Sequence, residues 1–431
     1  MDRRDFLKTS ALLAALGITG SWEEAFAKGA RNPQVGKVWK GWKKGHFQVH
    51  FIYTGVAESL FLILPDGTTM LLDCGDHNAI GRGKKAVPVL PGPGRHAGEW
   101  IARYVRRVNP AGREVDYMML SHYHNDHAGC LTFNAGERER DGKPYALSGF
   151  AQAAEFLHFD RAIDRCWPDY NDPMPLPENP SEAYPHMRYV YEYLQKHEGL
   201  QLEQFRLGEV NQVRMLNDPD RYPSFFIRNI CANGRICGED GVVKDLYKER
   251  IAAGKVKKIN ENGMSLGMII GYGPFRFFTA GDFSDKWKLP DGTTFRTENA
   301  LADICSRVDV AKVNHHCHNA MPEKLVSALG ARVWVSCVWD QLHNLDGDMT
   351  RLSNRSLYDR DRIICPGIMP AERRETDNGK SWMKDVEKAS YEGGHIVLDV
   401  MPGGRRYTIT YLSAEDESMT VRSVMEFKTG E

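Results

Sequence analysis

The sequence predicts a layered α/β fold, and three observations carry that expectation. Short apolar or alternating runs ("FQVHFIY", "SLFLIL", "TTMLLD", "VDYMML") recur between segments rich in Gly and Pro. Between the third and fourth runs, Trp100, Ile101, Tyr104, Val105 and Val108 repeat at the 3.6-residue spacing of a helix. Beyond residue 256 the same rhythm of strands and helices resumes. Strands alternating with helices pack as sheets covered by helical layers.

Taken in order, the elements justify themselves locally. After a Gly/Lys-rich lead-in at 36–45, "FQVHFIY" alternates with the period of a strand, and "SLFLIL" is a continuous apolar run. "PDG" at 65–67 supplies turn chemistry before "TTMLLD". A Gly/Pro loop at 81–98 precedes the helix, and "VDYMML" then runs straight into "LSHYHNDHAG". From about 137 to 256 the rhythm breaks. "WPDYNDPMPLPENPSEAYP" is dense in proline and aromatics, and "HMRYVYEYLQKHEGLQ" has a helical pattern. That stretch is expected to be a helical, Pro-rich insertion beside the site, a lid. "SLGMIIGYGPFRFFTAGD" then reads as two strands around a Gly-Tyr-Gly-Pro turn. "VDVAKVN" and "ARVWVSCVW" read as buried strands with the helix "MPEKLVSALG" between them, and "GGHIVLDVMPGGRRYTITYLS" as a closing hairpin. One domain is expected over residues 28–425.

Composition narrows the class. The 431 residues are 42% hydrophobic and 26% charged with a formal net charge of −1, which excludes collagenous, disordered and membrane-spanning chains. The balanced charge disfavours a broadly basic nucleic-acid surface. Residues 1–27 read as an export signal. Arg3-Arg4 precede an apolar run too short to span a bilayer, and "AFA" at 25–27 offers a small-x-small cleavage site. "RRDFLK" resembles the twin-arginine export motif, which implies a periplasmic or extracellular protein with no transmembrane segment in the mature chain. Removing residues 1–27 takes Arg3, Arg4 and Lys8 with Asp2, Asp5, Glu23 and Glu24, and leaves a neutral mature chain. Nine cysteines without a CxxC pair exclude a zinc finger, and their odd number leaves at least one thiol unpaired in a monomer.

The chemistry concentrates in residues 120–129. His122, His124, Asp126 and His127 stand within six residues, directly after an apolar strand. Imidazole and carboxylate suit zinc, manganese or iron, and no thiolate cluster competes. A tight loop aims His122 and His124 to one side and Asp126 and His127 to another, so one loop seeds two adjacent metals.

"HYHNDH" fits the H-x-H-x-D-H signature, and with it the chain resembles the metallo-β-lactamase superfamily of di-metal hydrolases. The resemblance implies a four-layer αββα sandwich. It implies that Asp73 of "LLDCGD" buttresses the histidine loop, and that Asp282 of "FFTAGD" bridges two metals. "ENGMSLGMIIGYGPFRFFTAGD", "KVNHHCH" and "VSCVWDQLHN" look most like one branch. That branch holds the hydrolase domain of the competence DNA-uptake channel and the phosphorylcholine esterase. By the same resemblance His343 in "QLHNLDG" is the candidate for the last metal histidine. His315-His316 matches the pair of which one member faces a substrate phosphate, although Cys317 and His318 replace the expected Gly and Ser. A third histidine for the first metal is not evident, with His158 the one candidate.

The resemblance implies two divalent ions, zinc first, with metal ligands His122, His124, Asp126, His127, Asp282 and His343. Asp126 would also orient the nucleophilic water, and His315 or His316 would serve the leaving or non-bridging oxygen. Lys312 reads as a structural lysine. A phosphoester, most of all a phosphodiester, is the expected substrate. A neutral chain with an aromatic-rich stretch suits a small or amphiphilic ester better than a polyanion. The superfamily also hosts lactam, thioester and lactone hydrolysis, and fold does not settle chemistry. A diiron redox protein is the alternative from another class, although its loop typically carries a glutamate where this chain has His124. A non-catalytic metal-binding protein is the other.

Overall fold

The computed structural model describes residues 32–77, 87, 89–176, 183–340, 343–390 and 392–431. The expected export signal lies outside the described residues, as does part of the loop at 81–98. Strands β1 (Phe47–Phe51), β2 (Leu60–Ile63) and β3 (Thr69–Leu72) are antiparallel neighbours, and β4 (Glu114–Met119) joins β3 in parallel. A parallel pair needs a crossover. The helix Ala97–Val108 provides it, burying Ile101, Tyr104, Val105 and Val108 against the sheet. On β2, Leu60 and Leu62 enter one core while Phe61 and Ile63 enter another. Both faces are covered, which is why "LFLI" is continuously apolar.

Residues 137–256 depart from the expected insertion. A hairpin of β5 (Glu137–Arg140) and β6 (Lys143–Ala146) stands apart. By contrast β7 (His158–Asp164) pairs in parallel with β4, and β8 (Gln201–Gln204) with β7. Strands β9 (Phe225–Ala232), β10 (Arg235–Cys237) and β11 (Val243–Asp245) form one flank of the second sheet. The stretch therefore completes both sheets. Charged residues on the half-exposed face of β7 ("HFDRAID") interrupt its apolar pattern and hide it in the sequence. The helix Ala183–Glu198 covers the first sheet with Met187, Val190, Tyr191 and Leu194. Its Tyr184 ring packs 5.9 Å from Tyr123 in the histidine loop, so it braces that loop from behind.

The second sheet continues through β12 (Gly267–Tyr272) and β13 (Phe275–Thr279). After the small hairpin β14 (Lys286–Lys288) and β15 (Thr294–Arg296) come the parallel strands β16 (Val310–Lys312), β17 (Val333–Ser336) and β18 (Ile363–Pro366). The chain returns to the first sheet with β19 (His395–Val400), β20 (Arg406–Leu412) and β21 (Val421–Lys428). The last of these extends the domain past the expected boundary at 425. Nine strands run β21-β20-β19-β1-β2-β3-β4-β7-β8 in one sheet, and eight run β11-β10-β9-β12-β13-β16-β17-β18 in the other.

Three apolar layers separate four layers of structure. Phe47, Phe51, Leu62, Met268, Phe277 and Val335 fill the space between the sheets. Outside the second sheet Trp334, Trp339 and Trp382 lie beneath helices. Each such fully buried side chain contributes about 1.5–3 kcal/mol. The architecture is the expected αββα sandwich. All nine cysteines are free thiols. Among the described residues no helix is long and apolar enough to cross a membrane.

Candidate metal centre

Strands β3 and β4 end level, with Leu72 opposite Met119. Asp73 then donates its N–H to Met119 O at 2.9 Å and turns its carboxylate to Ser121, accepting from N–H and Oγ–H at 2.7 Å each. The same carboxylate lies 2.8 Å from His127 Nδ1, so that nitrogen donates and Nε2 faces the centre. The loop is closed further by Cys74 N–H to His127 O and Glu58 N–H to Asp126 O, both 2.8 Å. This approach admits only glycine at position 75, where a Cβ would stand 1.9 Å from Asp126 O. Gly281, at φ +50°, is likewise pressed on the Ser121 side chain, where a Cβ would stand 2.9 Å away.

The second sheet supplies the opposing residues. Phe278 pairs with Ala311 in the parallel β13–β16 ladder, so Asp282 and His315, each four residues further on, leave at one edge. His316 follows with φ +48°, and its Nε2 enters the centre. It stands 3.3 Å from His127 Nε2, 3.2 Å from Asp126 Oδ2 and 3.4 Å from Asp282 Oδ2. His127 Nε2 is 3.2 Å from Asp282 Oδ1. Donors about 2.0–2.2 Å from one tetrahedral ion stand about 3.3–3.6 Å apart, so these separations fit a divalent metal. Asp282 Oδ1 is buried facing His127 Nε2, a charged oxygen that coordination to a cation would further satisfy. On the other side of Asp282, His122 Nε2 lies 3.9 Å from Oδ2 and 3.1 Å from His124 Nδ1. Asp282 thus faces two donor groups.

Electrostatics carry the same message. Burial opposes charge on His127, yet Asp282 and Asp73 outweigh it and hold the imidazole well above its ordinary range. Burial likewise opposes charge on His316, and Asp282, Asp126 and Glu58 push it up to about 9. Burial would raise Asp282, but His316 and His127 hold it well below the usual carboxylate range. Asp126 is held down in the same way, against burial, by His316 and His127. The carboxylates thus hold protons on His127 and His316, which a divalent ion would have to displace in order to bind their Nε2 atoms. Burial, then the charge of His127, pushes His122 well below its ordinary value, leaving the neutral imidazole that a metal requires.

Of the residues singled out in the sequence, His122, His124, Asp126, His127 and Asp282 converge. His315 and His316 separate. His316, expected to serve the substrate, stands among the donors. His315 lies half-buried beside them, between Asn262 Nδ2 at 3.1 Å and Ser284 Oγ at 3.3 Å. His343, expected as a metal ligand, stands behind His316, with ring centroids 5.0 Å apart. Its Nδ1 lies 3.0 Å from Asp340, and its loop is pinned by Asn344 N–H to His316 O at 3.1 Å. His158 pairs with Glu114 at the far end of β7, about 17 Å of strand from the histidine loop, and so cannot be the third histidine.

Glu58 was not foreseen. It belongs to a buried group with His127, Asp282 and His316 whose ligand atoms lie within 4.8 Å of one another. Its carboxylate faces His316 Nδ1 at 3.4 Å and accepts from Lys312 Nζ at 2.9 Å, so it orients the ring from outside. Lys312 is buried and also donates to Gly281 O at 2.9 Å. The one available signal was a glutamate set directly before the apolar run of β2.

Residues 53–133 match the Metallo-beta-lactamase superfamily. No curated protein matches the sequence. A crystal structure from Parabacteroides distasonis ATCC 8503, provisionally described as a metal-dependent hydrolase, is similar at 12% identity and a TM-score of 0.32. The similarity covers 74% of this chain and 92% of that one. The superfamily match spans Asp73 and the whole histidine motif, and with two sheets packed between helical layers the fold is a metallo-β-lactamase αββα sandwich.

Proposed function

We propose that the protein is an exported metal-dependent hydrolase acting on a phosphoester, a phosphodiester first. One observation carries the hydrolytic reading: Asp126, His127 and Asp282 each present a donor atom 3.2–3.4 Å from His316 Nε2, in a buried cluster that Glu58 shares. Such donors would hold divalent ions, zinc first, which would supply an acidified water and neutralise charge developing on a phosphoryl oxygen. The chain's own residues set the geometry for that chemistry. Asp73 and Glu58 fix the rings of His127 and His316 from their Nδ1 sides, and Asp282 faces both donor groups. Asp126 is the proposed anchor of the attacking water. His315, aligned by Asn262 and Ser284, is the proposed hydrogen-bond partner of the leaving oxygen.

The choice of phosphoester is supported by "KVNHHCH" and the neighbouring motifs shared with the phosphorylcholine-esterase branch. A neutral mature chain favours a small or amphiphilic ester over nucleic acid, and "RRDFLK" supports export to the periplasm or beyond. The test is metal analysis of the purified protein coupled to turnover of chromogenic phosphodiesters, phosphomonoesters, carboxylic esters and lactams. Metal-dependent turnover fastest on the phosphodiester is expected. Preference for a lactam or carboxylic ester would contradict the substrate class, and turnover that survives complete metal removal would contradict the mechanism.

A further inference from the structure

The two donor groups facing Asp282 are not equivalent. In one, Asp126, His127 and Asp282 gather 3.2–3.4 Å from His316 Nε2, beside the buried Glu58. Both of its imidazoles are backed on Nδ1 by a carboxylate, His127 by Asp73 at 2.8 Å and His316 by Glu58 at 3.4 Å. Such backing fixes the ring and raises its basicity as a ligand.

The other group has neither the number nor the backing. Among the described residues His122 Nδ1 meets the neutral Ser121 Oγ, at 3.1 Å, and His124 is exposed. Among the described residues the imidazoles packed on His122 are His124 and His127, and His127 already belongs to the first group. A third ligand would enter naturally from β7, which runs parallel to β4 and ends beside the histidine loop. The residues delivered there are Asp164, whose carboxylate accepts from Tyr123 Oη and from the N–H groups of Cys166 and Trp167, and Arg165. Its guanidinium holds Glu261 in a two-point pair at 2.9 and 2.7 Å, and Glu261 also accepts the Tyr123 N–H at 2.9 Å. That carboxylate is committed. Turning it towards His122 would strand a buried guanidinium, and breaking a buried pair costs about 3–5 kcal/mol.

We propose that Asp126, His127, Asp282 and His316 hold one tightly bound divalent ion, while His122 and His124, sharing Asp282, hold a second ion only weakly. This rests on the metal-dependent reading above and refines it, so that the isolated protein carries close to one ion per chain. A single outer partner is worth about 10–100-fold in metal affinity, and among the described residues the weaker group lacks that support on both rings as well as a third imidazole. The two affinities should therefore differ by at least about 100-fold.

The test is titration of the chelator-stripped full-length protein with Zn(II) alone, in competition with a chromophoric chelator. One tight equivalent and one far weaker equivalent are expected. Exposed His124 changed to alanine should keep the tight equivalent and lose the weak one, whereas Asp126→Asn should lose the tight one. Two equivalents of matching affinity, or loss of the tight one in His124→Ala, would overturn the ranking and leave the metal-dependent reading standing. A folded protein that binds no zinc would overturn both.

Discussion

Acidification from about pH 8 to about pH 5 should destabilise the protein through two histidines remote from the metal centre. His50 on β1 and His395 on β19 both pack on Tyr104, with ring centroids 5.8 and 4.5 Å away. His50 is hydrogen-bonded to Tyr104 Oη at 3.0 Å and Gln48 Oε1 at 3.2 Å, and His395 Nδ1 accepts the Tyr53 N–H at 3.0 Å. Burial, then the nearby His395, pushes His50 down from 6.5 to about 3. Burial, then the charges of Arg107 and Arg422, pushes His395 down to about 3. The unfolded chain therefore binds more protons than the folded one between these values. The contribution is fully present above pH 6.5 and is lost as pH falls towards 3. At about pH 5 each histidine costs about 2 kcal/mol, and the pair about 4 kcal/mol. Urea unfolding of the wild type and of His50→Gln/His395→Gln at both pH values isolates this cost from every other titrating group. The wild type should lose about 4 kcal/mol more than the double variant. An identical pH dependence in the two proteins would refute the assignment.

Three further outcomes are expected. Lys312→Met strands the Glu58 carboxylate in the interior and should cost about 3–5 kcal/mol in denaturant unfolding, part of which Glu58→Gln should restore in the double variant. His315→Ala should retain bound metal and lower kcat by about 10²–10⁴-fold on substrates with poor leaving groups, and less on nitrophenyl esters; loss of a metal ion in that variant would place His315 among the ligands. Changing Arg3 and Arg4 to Lys should trap precursor in the cytoplasm, and normal secretion of that variant would point to the general secretory route.

Local order reads well from this sequence, and long-range pairing reads poorly. The histidine loop, Asp73 and Asp282 are recognisable because each lies at the end of a short apolar strand, and strand ends are set by nearby residues. The sheet strands β7 and β9 escape the same reading. Polar residues alternate into their patterns, and the proline-rich segment between β7 and β8 makes the region look irregular. That His316 stands beside Asp126 and Asp282 with His343 behind it was hidden for a similar reason. Both follow buried strands of the second sheet, and which one enters the centre depends on the left-handed turn at 315–317. Glu58 and Lys312 are 254 residues apart, and only the packing of one sheet on the other brings them together.

The central claim is that a divalent ion sits among Asp126, His127, Asp282 and His316. An anomalous difference map, collected at the zinc edge from crystals of zinc-loaded full-length protein, tests it most directly. The strongest peak is expected within bonding distance of those four side chains. Ordered, zinc-loaded crystals with the strongest peak elsewhere, and none between His127 and His316, would contradict it.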